Sequence, residues 1–273
     1  MRNLAGLSSL AFLLLVCTAV RQPVAAQVPA GERVALAGQL LDLSDQGAVL
    51  ARVHVPNPEV VATLEAEATE QVPAFQEHWA RSFEPEMLRR HAEALLARRA
   101  PADSLALAAA WLSQPTVQEA MTHLRDGRSP AGQEAFQRWL EDLDDETVDD
   151  DRLALVDQIV ERVGDDNMIL VPLTRLAAGL RVAFELAPED QRFVLRSALD
   201  HVAAEPVSFA AHMVVVERLF VYHALAPLAT ADLDIFVASL DSPEARWYHE
   251  TVFGVLEDVL ADAVTRAVSG VTG

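Results

Sequence analysis

The chain has 273 residues with 41 acidic side chains against 21 basic ones, all arginine, and a net charge of −20 at pH 7. So acidic a surface argues against DNA or RNA as a partner, because nucleic-acid affinity comes largely from basic side chains that displace counterions, and it opposes docking on anionic lipid. The one cysteine, Cys17, cannot build a disulfide framework or a cysteine-ligated metal centre by itself.

The first residues, MRNLAGLSSLAFLLLVCTAVRQPVAAQ, place an early positive charge at Arg2 before an apolar run from Leu4 to Val20. Val24 and Ala26 then occupy the −3 and −1 places of a small-residue cleavage site, so residues 1–26 read as a secretory signal peptide cut before Gln27. An uncleaved membrane anchor is the alternative, although the run is shorter than the roughly 20 residues a spanning helix needs. A lipidated Cys17 fits less well, since Leu14-Leu15-Val16 offers no small residue before it. The expected address is therefore the periplasm or the extracellular space, with no transmembrane segment after cleavage. Cleavage also removes Cys17, Arg2 and Arg21, leaving 19 arginines, 41 acids and no thiol, a balance of −22.

Alanine and leucine dominate what remains, and beta-branched alternation is scarce, so the pattern is helical nearly throughout. A first amphipathic helix is predicted over Gly31–Leu43, with Leu36, Leu40 and Leu43 on one face and Val34, Ala37 and Leu41 widening it. VHVPNP breaks it, and Asn57 is placed to cap a helix from Pro58 to Trp79 in which Pro73 introduces a kink. A further helix covers Glu84–Arg98. Three polar-proline pairs, Gln114-Pro115, Ser129-Pro130 and Ser242-Pro243, mark sharp corners, because proline tolerates the first helical position and a serine before it can cap. The charged run EDLDDETVDDD, residues 141–151, reads as a solvated linker between an N-terminal half, 27–140, and a C-terminal half, 152–273. In the second half helices are predicted over Arg152–Val163, Met168–Phe184, Pro188–Ala204, Phe209–Leu225, Thr230–Leu240 and Pro243–Val268. The fourth of these is apolar nearly all round, which predicts a central helix wrapped by others. The fold class is all-α, a bundle of about 9–11 helices.

An internal echo links the halves. Superposing Pro115 on Pro243 pairs Leu105 with Leu233, Leu107 with Ile235, Ala110 with Ala238 and Leu112 with Leu240. The shared content is an apolar helix, a proline corner and a returning helix, a hairpin that needs partner helices to bury its face. The cluster Trp247-Tyr248-His249-Glu250 has no counterpart at Glu119 to Thr122, so any function in the hairpin comes from what the copies do not share.

EPEMLRRHAEALLARRAPADSLALAAAWLSQPTVQEAM, beginning at Glu84, resembles the core of bacterial domain-of-unknown-function family 2059, whose pattern has an acid-initiated helix and a FYxSPxGQ corner. Trp111 and Leu112 stand at its aromatic pair, Gln114-Pro115 at its Ser-Pro and Val117 at its glycine. The stretch from Leu219 to Leu256 is similar, with Ser242-Pro243 kept and Ala245 at the glycine, while ERVALAGQLLDLSDQG resembles the family's first helix. A literal SPAGQ, Ser129 to Gln133, follows LRDGR in place of the aromatic pair, as a third corner or the displaced original. The resemblance implies an exported, all-helical bacterial protein with no established activity.

Local catalytic signatures are absent: there is no GxSxG, GxGxxG or GxxxxGK[ST]. The eight histidines lack HExxH spacing, and His212 and His223 would lie roughly 16 Å apart along one helix, too far to share a metal. They read as partly buried histidines at helix contacts. The acids Asp144, Asp145, Asp149, Asp150 and Asp151 lack the calcium-loop pattern. Glu217-Arg218 reads as an ion pair closing a helix contact, and Trp79, Trp111, Trp139 and Trp247 as core filling. No catalytic, cofactor or metal residues are therefore assigned. Two functions fit: a non-enzymatic binding module with a groove for a protein segment or an apolar ligand, or a hydrolase whose carboxylate and histidine site assembles between the halves.

Overall fold

Helix follows helix in the computed structural model, which describes residues 29–56, 58–143, 148–163, 179–190, 192–197 and 206–272. The signal segment, Asn57, Asp144, Asp145 and much of the helices expected at Met168–Phe184 and Pro188–Ala204 lie outside the described residues. The order is α1 (Ala30–Leu43), α2 (Gln46–Arg52), α3 (Pro58–Glu67), a 3-10 turn (Thr69–Gln71), α4 (Val72–Ser82), α5 (Pro85–Arg99) and α6 (Ala102–Leu112). It continues with α7 (Pro115–Gly127), α8 (Pro130–Glu141) and α9 (Asp150–Val163). After helical residues 179–186 and 192–197 come α10 (Pro206–Ala224), α11 (Thr230–Leu240) and α12 (Pro243–Thr272). There is no strand among the described residues, in keeping with the all-α expectation, and no described helix is long and apolar enough to cross a membrane.

Two local expectations change. The predicted Pro58–Trp79 helix breaks in two at Ala68, whose φ of −153° leaves the helical region, and Pro73 sits in the first turn of α4. Lacking an N–H and crowding the carbonyl four residues back, proline here starts a new helix where a kink was expected. The short α2 was not expected, since seven residues carry too little periodicity to be read. It is entered through Asp45, at φ 59°, in the left-handed region that aspartate tolerates better than most side chains.

The proline corners form as chemistry requires. Ser129 Oγ accepts from the Gly132 N–H and Ser242 Oγ from the Ala245 N–H, both at 3.1 Å, with proline next in line. Gln114 does not cap α7, but Gln118 Nε2 donates to the Leu112 carbonyl at 2.6 Å, as Gln133 Nε2 does to Gly127 at 3.2 Å. SPAGQ is thus a third corner, between α7 and α8. Its glycine is required by close approach: a Cβ on Gly132 would lie 2.5 Å from the Gly127 carbonyl oxygen and nearer still to that of Asp126.

The echo recurs in the helices and their burial. Helices α6 and α11 are both 11 residues long and sit at the register given by Pro115 and Pro243. Leu105 and Leu233 are buried in both copies, as are Leu112 and Leu240, while Leu107 and Ile235 face outward at 53% and 55% exposure. Helices α1 and α9 are also equal in length, 14 residues each, although Ala30 and Asp150 are 120 residues apart and so lie off that register. Yet the hairpins do not close on themselves. In the first half α1 packs on α5 and α6, and the fourth partner is α12 from the chain end; in the second, α9 packs on α10 and α11, and the fourth partner is α7. The returning helix of each hairpin is exchanged, so both halves share one buried core.

The helix expected at Phe209–Leu225 is α10, which starts earlier at Pro206, ends one residue sooner at Ala224 and packs on α7, α8 and α9 with Phe220, Val221 and Tyr222 buried. The described acids of the 141–151 stretch are exposed, and Asp149 anchors its end: its Oδ1 accepts from the Arg152 N–H at 2.9 Å and its own N–H donates to the Tyr222 hydroxyl. Gly132→Ala is expected to destabilise the fold by ~1–3 kcal/mol through overpacking, and Ser242→Ala by about 1 kcal/mol through a lost cap, both measured by urea unfolding. A Gly132→Ala midpoint equal to wild type would show that the corner opens freely.

Candidate functional site

The exchange of α7 and α12 leaves a space where the two helices pass between the halves. A cavity of about 210 Å³ lies there, with walls from α2, α6, α7, α9, α11 and α12 and one side chain of α10. Its apolar wall comes from Met121 and Leu124 of α7, Ile159 and Val163 of α9, Phe236 and Leu240 of α11, and Phe253 of α12. These positions are the inward stripes of amphipathic helices, and the two hairpins differ in what they present here. They do not match at Ala120 and Met121, which become Tyr248 and His249 in the second copy; Met121, Tyr248 and His249 all line the cavity.

An aromatic cage surrounds His249. Its ring stacks on Phe253 with centroids 5.9 Å apart and meets Trp111 edge-on at 5.9 Å, and Tyr248 packs on Trp111 at 5.5 Å. Both imidazole nitrogens, the Tyr248 hydroxyl, the Trp111 indole N–H and the Gln46 carbonyl oxygen are sealed from solvent, and none has a hydrogen-bond partner among the described residues. Ser44 and Gln46 both lie near the Tyr248 hydroxyl without meeting hydrogen-bond geometry to it, and the Ser44 hydroxyl donates to the Leu40 carbonyl at 2.8 Å. Buried polar groups normally find a partner, and an unmet one costs about 1–3 kcal/mol. Five such atoms belong to side chains that line the cavity.

Burial sets the protonation of these groups. It pushes the Tyr248 hydroxyl up to about 12, opposed by nearby Ser44 and Gln46 and then by the Arg128 charge, so the phenol is a neutral donor. Burial also pushes His249 down to about 4, so the imidazole is neutral.

One end of the cavity is charged. Arg128, at the α7–α8 corner, donates to Glu217 of α10 at 2.8 Å and lies over the Phe220 ring at 5.2 Å. Arg52, the last residue of α2, has an ion pair with Asp45 at 3.9 Å, longer than a hydrogen bond. Its guanidinium is held below the ordinary value by burial and then by the Arg128 charge, which sets the two cations near one another.

Of the residues singled out in the sequence, the structure brings Trp111, Glu217, Tyr248 and His249 into one site. Glu217 and Arg218 do not pair with each other as expected: side chains adjacent on a helix diverge, so Glu217 reaches Arg128 while Arg218 Nη2 donates to Asp157 of α9 at 2.6 Å. Trp79 fills the core, its Nε1–H donating to the Val53 carbonyl at 3.0 Å, and Trp139 and Trp247 pack against that core. Trp111 belongs to the core as well, at 3% exposure, and also borders the cavity. His54, His78, His91, His123 and His223 are partly buried, and the His212 side chain and His201 lie outside the described residues. Among the described residues no three His, Asp or Glu side chains converge as metal ligands. Gln46, Arg52 and Arg128 carried no sequence signal, because a lone polar residue at a helix end looks like any surface side chain until its neighbours are known.

His249 gives the site a pH signature. The unfolded chain takes up a proton there near 6.5 and the folded chain resists until about 4. Between those values the unfolded state binds more protons, so stability present above pH 6.5 is lost as pH falls toward 4, by on the order of 3 kcal/mol. His249→Phe should flatten that decline in urea melts relative to wild type; identical pH profiles would show a solvated imidazole. No family model matches the chain, and no curated protein or solved structure matches it at significance.

Proposed function

We propose that the protein is a non-enzymatic binding module that holds a small, largely apolar ligand in the cavity between its halves. The observation that carries this reading is the Tyr248, His249, Trp111 and Gln46 polar atoms without hydrogen-bond partners among the described residues, set in an apolar wall. Ligand sites have this composition, a mostly apolar enclosure with a few placed polar groups that fix orientation. Of the occupants expected from the sequence, the volume favours a small apolar ligand over a protein segment: a cavity of about 150 Å³ accommodates benzene, and this one is about 210 Å³.

Binding is preferred to hydrolysis on the same geometry. A histidine base is oriented by a carboxylate and poised near neutral pH, whereas neither His249 nitrogen meets a carboxylate and its ring is held down to about 4. The acid lining the cavity, Glu217, is engaged by Arg128. Action outside the cytoplasm belongs to the same proposal, supported by the apolar run and small-residue site before Gln27 and by the resemblance to exported helical proteins.

Two measurements test it. Indole at ten times its dissociation constant should raise stability by about 1.4 kcal/mol, a shift of roughly 2–4 °C in melting temperature. Met121→Trp, which fills the cavity, should abolish the shift while the protein stays folded; an indole shift equal in the two proteins would place binding elsewhere. N-terminal sequencing of protein from a periplasmic fraction should begin at Gln27, and recovery of the intact N-terminus in the cytoplasm would overturn export.

A further inference from the structure

The cavity's charged end goes beyond what an apolar guest requires. In a chain of net charge −20, two arginines line one pocket of about 210 Å³. Arg128 uses one terminal nitrogen on Glu217, and Arg52 holds Asp45 at a distance longer than a hydrogen bond. Guanidinium groups present five donors each in a planar fork, so both retain donors for another acceptor. Gln46 and Tyr248 line the same pocket, the Tyr248 hydroxyl lying close enough to Arg128 to feel its charge, buried at 2% exposure and without a hydrogen-bond partner among the described residues.

We infer that the cavity binds a small anionic amphiphile, its carboxylate held by Arg52, Arg128 and the Tyr248 hydroxyl and its hydrocarbon body lying against Ile159, Phe236, Leu240 and Phe253. This rests on the ligand-binding reading above and adds the sign and place of the head group. A carboxylate accepts from both guanidinium forks and the phenol in charge-assisted hydrogen bonds, which are about twice as strong as neutral ones. A neutral head keeps only the Tyr248 and Gln46 contacts, and an ammonium head meets two like charges. The volume sets the size: scaling from the cavity that holds benzene gives on the order of ten heavy atoms, the size of a medium-chain fatty acid. Glu217 competes with the guest for Arg128, so it tunes affinity without touching the hydrocarbon.

The test compares three probes of equal chain length, octanoate, octan-1-ol and octylamine at pH 7, by calorimetry and Trp fluorescence on the whole chain. Octanoate should bind ~10-fold or more tightly than octanol, with octylamine weakest. Arg52→Gln should bring octanoate to within about threefold of octanol. Glu217→Gln, which keeps a hydrogen-bonding group beside Arg128, should tighten octanoate severalfold and leave octanol unchanged. Far-UV circular dichroism and melting temperature confirm that each variant is folded. Should Arg52→Gln fail to fold, the Glu217→Gln result decides alone. Octanol binding as tightly as octanoate overturns the anionic head while leaving the cavity a ligand site. Failure of all three probes, together with no indole shift, overturns the binding reading itself.

Discussion

The exchange of helices at the proline corners is the constraint on which the rest of this molecule depends. A helical hairpin has one apolar stripe per helix and cannot cover both by folding on itself. Here α6 and α11 end at Pro115 and Pro243, and the returning helices α7 and α12 each lie against the other half. The buried face of α12, including Val252, Leu256, Val259 and Ala263, is therefore the lid of the first bundle's core. With no thiol after Cys17 to staple the chain, this mutual covering is what joins the halves. Neither half has a complete core without a helix from the other.

The exchange also explains where the cavity lies. Substituting tyrosine and histidine for alanine and methionine on one side only makes the contact asymmetric. It places polar atoms where the symmetric partner offers none. The Tyr248 and His249 groups, without hydrogen-bond partners among the described residues and set in a mainly aliphatic and aromatic core, fall where the exchanged helix α12 passes between the halves. The unusual backbone of Asp45 fits the same picture, since it starts α2 so that Gln46 reaches the cavity.

Electrostatics follows from the same layout. With acids in two-fold excess, arginines serve as ties between helices: Arg89 holds Asp42 of α1 at 2.7 Å, and Arg162 of α9 holds Asp241 after α11 in two bonds at 2.8 and 3.0 Å. These pairs are largely exposed, and such pairs are individually weak. Arg52 and Arg128 differ in standing beside a cavity, where lower local polarizability makes a charge count for more.

Much of the fold was legible in the sequence because its signals are local. The α1, α5, α9 and α11 bounds, the three proline corners and the paired burial of Leu105 with Leu233 follow from capping chemistry, missing amide hydrogens and periodicity, all of which act within a few turns. The short α2 and the break at Ala68 escaped because one competing turn outweighs a weak pattern. Of the site, the sequence marked Trp247 to Glu250 as the part the two copies do not share, and Tyr248 and His249 are that difference. Only tertiary structure decided that α7 and α12 change partners, that Glu217 reaches Arg128 across 89 residues, and that Gln46 and Arg52 meet Tyr248 at one pocket. Those facts depend on which apolar stripe covers which, a choice made by the packing of the whole chain and invisible to any window along it.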